Sequence, residues 1–92
     1  MINDLAPLAS EPDLELEAVD PARNINRRYS IRREPDLFGW FIVSWSWGRA
    51  DRTPRDRVQA FADEVDAIAF GRRLLARRGT APRRIGVAYR RR

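Results

Sequence analysis

The sequence predicts an α+β fold: a twisted antiparallel β-sheet of four to five strands with one α-helix packed on it. Three observations carry this expectation. Acids alternate with Leu14, Leu16 and Ala18 over residues 13–19 (DLELEAV), the period of a half-buried strand. Residues 40–47 (WFIVSWSW) are dense in aromatic and β-branched side chains, the richest strand-forming stretch of the chain. A single segment of helical period follows the strand-like runs, opening at Asp63 and stopping at Gly79.

Residues 1–12 hold two Pro, a Ser and acids around a few apolar residues, and read as a flexible acidic arm. Residues 13–89 form the expected domain, and residues 90–92 a mobile basic tail. The first strand (13–19) puts Leu14, Leu16 and Ala18 on one face, and Asp20-Pro21 breaks it ahead of a turn at 21–24. A second strand (27–33) points Tyr29 and Ile31 inward. Glu34-Pro35-Asp36 ends it, and Leu37-Phe38-Gly39 turns the chain. On the third strand (40–47), Phe41, Val43, Trp45 and Trp47 share one side, with Trp40 and Ile42 on the other. A charged loop over 49–56 leads to a short fourth strand at 57–61. The helix has Asp63 as its cap, and the acids of its first turn suit the positive end of the helix dipole. Ala67, Ile68, Phe70, Gly71, Leu74 and Leu75 fall on one arc, with Arg72, Arg73 and Arg77 opposite. Residues 85–89 are expected to add a last edge strand.

Ninety-two residues supply one domain and little room for a preorganised catalytic pocket. Cys and His are both absent, which removes disulfides, thiol chemistry, zinc sites built on sulfur or nitrogen, and any His general base. There is no calcium-loop pattern and no Gly-rich phosphate loop, and Ser30, Ser44 and Ser46 have no His partner. No catalytic residue, metal or cofactor is therefore expected. No apolar run approaches the roughly 18 residues of a membrane span, and the N-terminus lacks the pattern of a signal peptide. The expectation is a soluble cytoplasmic protein without a membrane partner; the lack of cysteine fits a reducing compartment.

Charge says more. All 18 basic residues are Arg, a bias expected of a GC-rich genome, so the position of each base matters more than its identity. The first 20 residues carry six acids and no base, whereas residues 21–92 carry 18 Arg against seven acids. From Ala67 onward there are nine Arg and no acid. So polarised a basic surface attracts phosphate backbones through counterion release.

Three motifs occur in order over about residues 20–89. Asn26-Arg27-Arg28-Tyr29-Ser30-Ile31 is similar to the N-K-F-Y-x-I opening of the WGR family. Leu37-Phe38-Gly39, seven residues, then Trp47-Gly48-Arg49 is similar to its F-G…W-G-R centre, and Asp66-Ala67 with Phe70 is similar to its helix. The approach Val19-Asp20-Pro21-Ala22-Arg23-Asn24 resembles small stand-alone bacterial members. The resemblance implies an antiparallel sheet flanked by one helix. The best-known members sit inside poly(ADP-ribose) polymerases activated by DNA breaks, where the motif Trp packs on the terminal nucleotide and basic groups hold phosphates. The motif Arg there also helps dock neighbouring domains. By resemblance, Trp47 is the stacking residue, Arg49 a phosphate or partner contact, and Asn26, Arg27 and Tyr89 further contacts to nucleic acid. The chain departs from the pattern at Arg28, where the family usually has an aromatic, and at Trp45, where it often has Arg. The loop over residues 50–55 replaces a tight G-x-x-G, and Ala88 precedes Tyr89 where relatives often have Gly.

Gly48, having no side chain, leaves room for a base or sugar beside Trp47, whose other reading is a core residue. Arg49 either binds phosphate or closes the sheet edge by pairing with Asp51 or a neighbouring carboxylate. Arg52 and Arg55 extend the expected phosphate track. The reading is a non-catalytic nucleic-acid-binding module for DNA ends or backbone, with RNA an open alternative. The runner-up is a protein-interaction module docking a DNA-processing partner through an exposed apolar patch around Trp40 and Ile42.

Overall fold

A computed structural model describes residues 5–92; Met1, Ile2, Asn3 and Asp4, the start of the expected arm, lie outside the described residues. The strands are β1 (Asp13–Asp20), β2 (Ile25–Pro35), β3 (Phe41–Arg49), β4 (Arg55–Phe61) and β5 (Arg90–Arg91), with helices α1 (Glu64–Arg78) and α2 (Ala81–Arg84) between the last two strands. All pairings are antiparallel and the sheet runs β4-β3-β2-β1-β5. The first four strands form a meander. α1 then carries the chain back across one face to the far edge.

Alternation decides which face is covered. Leu14, Leu16 and Ala18 of β1, Tyr29 and Ile31 of β2, and Val43 of β3 are buried and share one side with half-buried Phe41, Trp45 and Trp47. Against them α1 lays Ala67, Gly71 and Leu75, with Ile68, Phe70 and Leu74 at the margin. This is the arc read from the sequence. Each fully buried aliphatic side chain such as Leu16 or Leu75 contributes about 1.5–3 kcal/mol. Phe70 closes the core edge-on to Trp45, ring centroids 5.1 Å apart. Asp63 occupies the N-cap position but its side chain makes no cap hydrogen bond. Gly79 ends α1 in a right-handed conformation, its N–H donating to the carbonyls of Arg77 and Leu75.

Two segments differ from expectation. The last strand is Arg90–Arg91, not residues 85–89; Ile85 and Val87 instead pack against the core as irregular chain. The terminal arginines do not trail free. Arg91 is 2.9 Å from Glu11, Arg90 3.8 Å from Glu17 and Arg92 3.9 Å from Glu15, and the Arg92 N–H donates to the Glu15 carbonyl. The acids that β1 turns outward, together with Glu11, hold β5 at the edge. At the other end of the chain, residues Ala6–Ser10 form a 3-10 turn whose Ala9, with Leu5 before it, is buried against α1.

Candidate nucleic-acid interface

Strand ends sort the charge. α1 begins beside the end of β2, where Glu64 lies 3.7 Å from Arg33, and finishes over Tyr29, whose ring lies 4.4 Å from the Arg78 guanidinium. Arg27, Arg49 and Arg55 therefore stand at the same end of the sheet as Arg77 and Arg78. Glu34, Asp36, Asp63 and Glu64 collect at the opposite end. Of the carboxylates near the basic end, Asp20 binds Arg23 at 2.7 Å and Asp51 binds Arg49 at 3.2 Å, while Asp56, opposite Ser46, has no partner among the described residues. The Arg23 hydrogen bond holds the Asp20 carboxyl below its ordinary range.

At this basic end β3 finishes with the tripeptide Trp47-Gly48-Arg49. Register places Trp47 between Tyr29 and Arg55 on the helix-bearing face, half-buried against the core. Next along, Arg27 lies opposite Arg49, so two guanidinium-bearing residues continue the row beyond the indole. Gly48 takes φ +146°, a conformation side chains rarely adopt, although an added Cβ would meet only Pro54 Cα at 3.7 Å. Its glycine is required by the backbone; the expected clearance for a ligand is a consequence.

Arg49 is internally engaged. Its guanidinium donates to the Asn24 carbonyl at 3.0 Å and to Asn24 Oδ1 at 3.2 Å, besides pairing with Asp51. Asn26 is half-buried, and its carbonyl accepts the Ala50 N–H at 2.9 Å, pinning the start of the β3–β4 loop. Arg27, Arg52 and Arg55 are exposed, and among the described residues their side chains make no hydrogen bond or ion pair. Tyr89 is 3% exposed and edge-on to Tyr29 at 6.5 Å, so it stands behind the surface and not on it. The structure thus gathers Trp47, Gly48, Arg49, Asn26, Arg27, Arg52 and Arg55 at one end and leaves Tyr89 in the core.

Two participants escaped the sequence reading. Asn24 adopts the left-handed conformation at φ 57° and clamps Arg49; an Asn in a turn is the signal, since Asn tolerates that region best among residues with side chains. Arg78 stacks over Tyr29, whose buried hydroxyl finds no hydrogen-bond partner. Burial pushes the Tyr29 phenol above its ordinary value, with the Arg78 charge opposing. Among the described residues no group of His, Cys, Asp or Glu could hold a metal, and no helix is long and apolar enough to cross a membrane.

The family model described as the WGR domain matches residues 13–81, which takes in the sheet as far as β4, all of α1 and the motif at the end of β3. The chain belongs to the WGR family. The WGR domain is a non-catalytic module, associated with nucleic-acid binding in poly(ADP-ribose) polymerases. Among curated proteins this WGR chain is similar to the uncharacterized protein y4dW of Sinorhizobium fredii (strain NBRC 101917 / NGR234), with 36% identity over 86 residues. The match takes in 89% of this chain and 42% of the relative, so this chain spans less than half of that protein's length. No solved structure matches.

Proposed function

We propose that this WGR domain is a non-catalytic nucleic-acid-binding module that grips DNA at ends or along the backbone, using Trp47 for stacking and arginines for phosphates. The observation that carries the reading is the combination at one end of the sheet. A half-exposed indole stands beside unpaired Arg27, Arg52 and Arg55, while Glu34, Asp36, Asp63 and Glu64 stand at the other end. Base or sugar stacking on an aromatic contributes about 1–3 kcal/mol, and each neutralised duplex phosphate steepens the salt dependence by about 0.9. Arg27 and Arg55 flank Trp47 and supply the phosphate contacts. Arg49, with its guanidinium bound to Asn24 and Asp51, braces the turn that presents them.

The test is duplex-DNA binding over a salt series for wild type, Arg27→Gln/Arg55→Gln and Arg49→Gln. The reading expects the double variant to keep its melting temperature and to lose about two units of log–log salt slope. Arg49→Gln should lower the melting temperature. An unchanged slope in the double variant overturns the assignment of these arginines.

A second reading has its own observation. Leu37 is 97% and Phe38 84% exposed at the tip of the β2–β3 turn, which Asp36 stiffens by accepting the N–H groups of Phe38 and Trp40 at 2.8 and 2.9 Å. This apolar tip, more open than Trp40 or half-buried Ile42, favours docking of a protein partner at the end remote from the arginines.

A further inference from the structure

We infer that the helix-free face of the sheet carries a second phosphate site, built on Arg28 and Arg52, that favours nucleic-acid ends with a single-stranded extension over blunt ends. This rests on the end-binding reading above and adds the class of end that the module selects.

Successive strand residues point to opposite faces, so Arg27 and Arg28, neighbours in sequence, serve different sides of one sheet. Tyr29 and Trp47 mark the helix-bearing face; Arg28, Ser30, Ser46 and Gly48 lie on the other. There a cleft of about 210 Å³ has Arg28, Ser30, Ser46, Arg52 and Arg92 in its lining, together with Glu15. Pockets for drug-sized ligands run to about 300–1,000 Å³, so the space suits a phosphate group better than a whole cofactor. Its floor is made of small polar side chains. The Ser30 and Ser46 hydroxyls lie 2.5 Å apart; one donates to the other, which leaves one O–H free to donate outward.

The electrostatics select an anion. Arg28 and Arg52 are exposed, and among the described residues neither side chain has a hydrogen-bond or ion-pair partner. Of the carboxylates on this face, Glu15 lies 3.9 Å from Arg92 and Glu17 3.8 Å from Arg90, while Asp56, opposite Ser46, has no partner among the described residues. Two free guanidinium groups against the single unpaired carboxylate of Asp56 leave a local positive excess. Arg28 stands where the family pattern usually has an aromatic, so the pattern itself does not supply this site.

Stiffness then sets the class of strand. A duplex that abuts Trp47 on one face cannot turn around the sheet margin, because its persistence length is about 150 base pairs. An unpaired strand can make that turn.

The test compares duplexes with an identical paired segment, closed at one end by a hairpin. The other end is blunt, or carries a short 5′ or 3′ extension, or is itself closed by a loop. Wild type and Arg28→Gln/Arg52→Gln are titrated at several salt concentrations, and their melting temperatures are compared. Wild type should bind at least one extended end several-fold more tightly than the blunt end, with a log–log salt slope steeper by about 1.4 for two single-strand phosphates. The double variant should melt like wild type and bind blunt and extended ends with equal affinity; any loss at the blunt end itself measures the share of Arg52 in the phosphate track. Equal affinity for blunt and extended ends in wild type overturns the proposal, as does a preference that survives both substitutions. If the looped duplex binds as well as the open ones, the end-binding reading itself fails and takes this inference with it.

Discussion

The same substitution, Gly to Ala, should act in opposite directions at Gly48 and Gly71. At Gly48 there is room for a methyl group, since its nearest neighbour would be Pro54 Cα at 3.7 Å. The cost is conformational: φ of +146° is open to glycine and strained for alanine, by about 1–3 kcal/mol. Gly71 sits within α1 facing β2, where a Cβ would meet Ile31 Cδ1 at 3.5 Å, an ordinary contact. There alanine gains about 0.8–1 kcal/mol of helix propensity and displaces nothing. For a domain of this size each kcal/mol moves the melting temperature by about 4–8 °C. Gly48→Ala should therefore lower it by at least about 4 °C, and Gly71→Ala should raise it by about 3–8 °C. Urea unfolding should show shifted midpoints at unchanged slope, the mark of a stability change without a change in the unfolded state. If Gly48→Ala is as stable as wild type, the motif glycine is not held by its backbone and the account of the tripeptide is wrong. If Gly71→Ala is destabilised, α1 lies closer to β2 than the contact allows.

Two further predictions test the interior and the edge. Tyr29→Phe removes a buried hydroxyl with no partner, so stability at neutral pH should hold or rise, by up to about 1 kcal/mol. Because burial raises the Tyr29 pKa, the folded state keeps its proton to higher pH than the unfolded chain. Stability is thus unaffected below the ordinary value of 10 and falls as pH rises beyond it; melting from pH 8 to 11 should show that loss in wild type and less of it in Tyr29→Phe. Glu11→Gln/Glu15→Gln/Glu17→Gln releases Arg90, Arg91 and Arg92 from their ion pairs. Exposed pairs are worth about 0–1 kcal/mol each, so the fold should survive while affinity for duplex DNA and its salt slope both rise. Unchanged affinity would mean that the β1 acids do not compete with phosphates for the terminal arginines.

The fold was largely legible because its period is strict. Leu14, Leu16 and Ala18 alternate with acids, Tyr29 and Ile31 with polar residues, and the α1 arc recurs at helical spacing. Each was therefore assigned its buried face from sequence alone. The last strand was misplaced because residues 85–89 are apolar, as an edge strand should be, whereas Arg90–Arg91 carries no such pattern. Pairing with β1 and the carboxylates of Glu11, Glu15 and Glu17 holds it instead. At the candidate site, the motif located the right end of the sheet but did not separate free from engaged groups. The pairing of Arg49 with Asp51 is one of the two roles its sequence allows, but the clamp by Asn24, a partner 25 positions away, has no local signal. Tyr89 read as surface because nothing local places it against Tyr29. Arg28 entered only as a departure from the family pattern; its company with Ser46 and Arg52 is a product of register and loop path.

The central claim is that Trp47 makes this domain prefer nucleic-acid ends. The most direct measurement is the ratio of affinities for a labelled duplex with a 5′-phosphorylated blunt end and for the same duplex closed by loops at both ends. Wild type, Trp47→Ala and Trp47→Leu are compared, the leucine keeping an apolar group against the core. Wild type should favour the open end, and both variants should lose that preference while remaining folded, at a cost of about 1–3 kcal/mol in end affinity. A uniform, salt-labile affinity that is the same for both duplexes and indifferent to Trp47 would contradict the account.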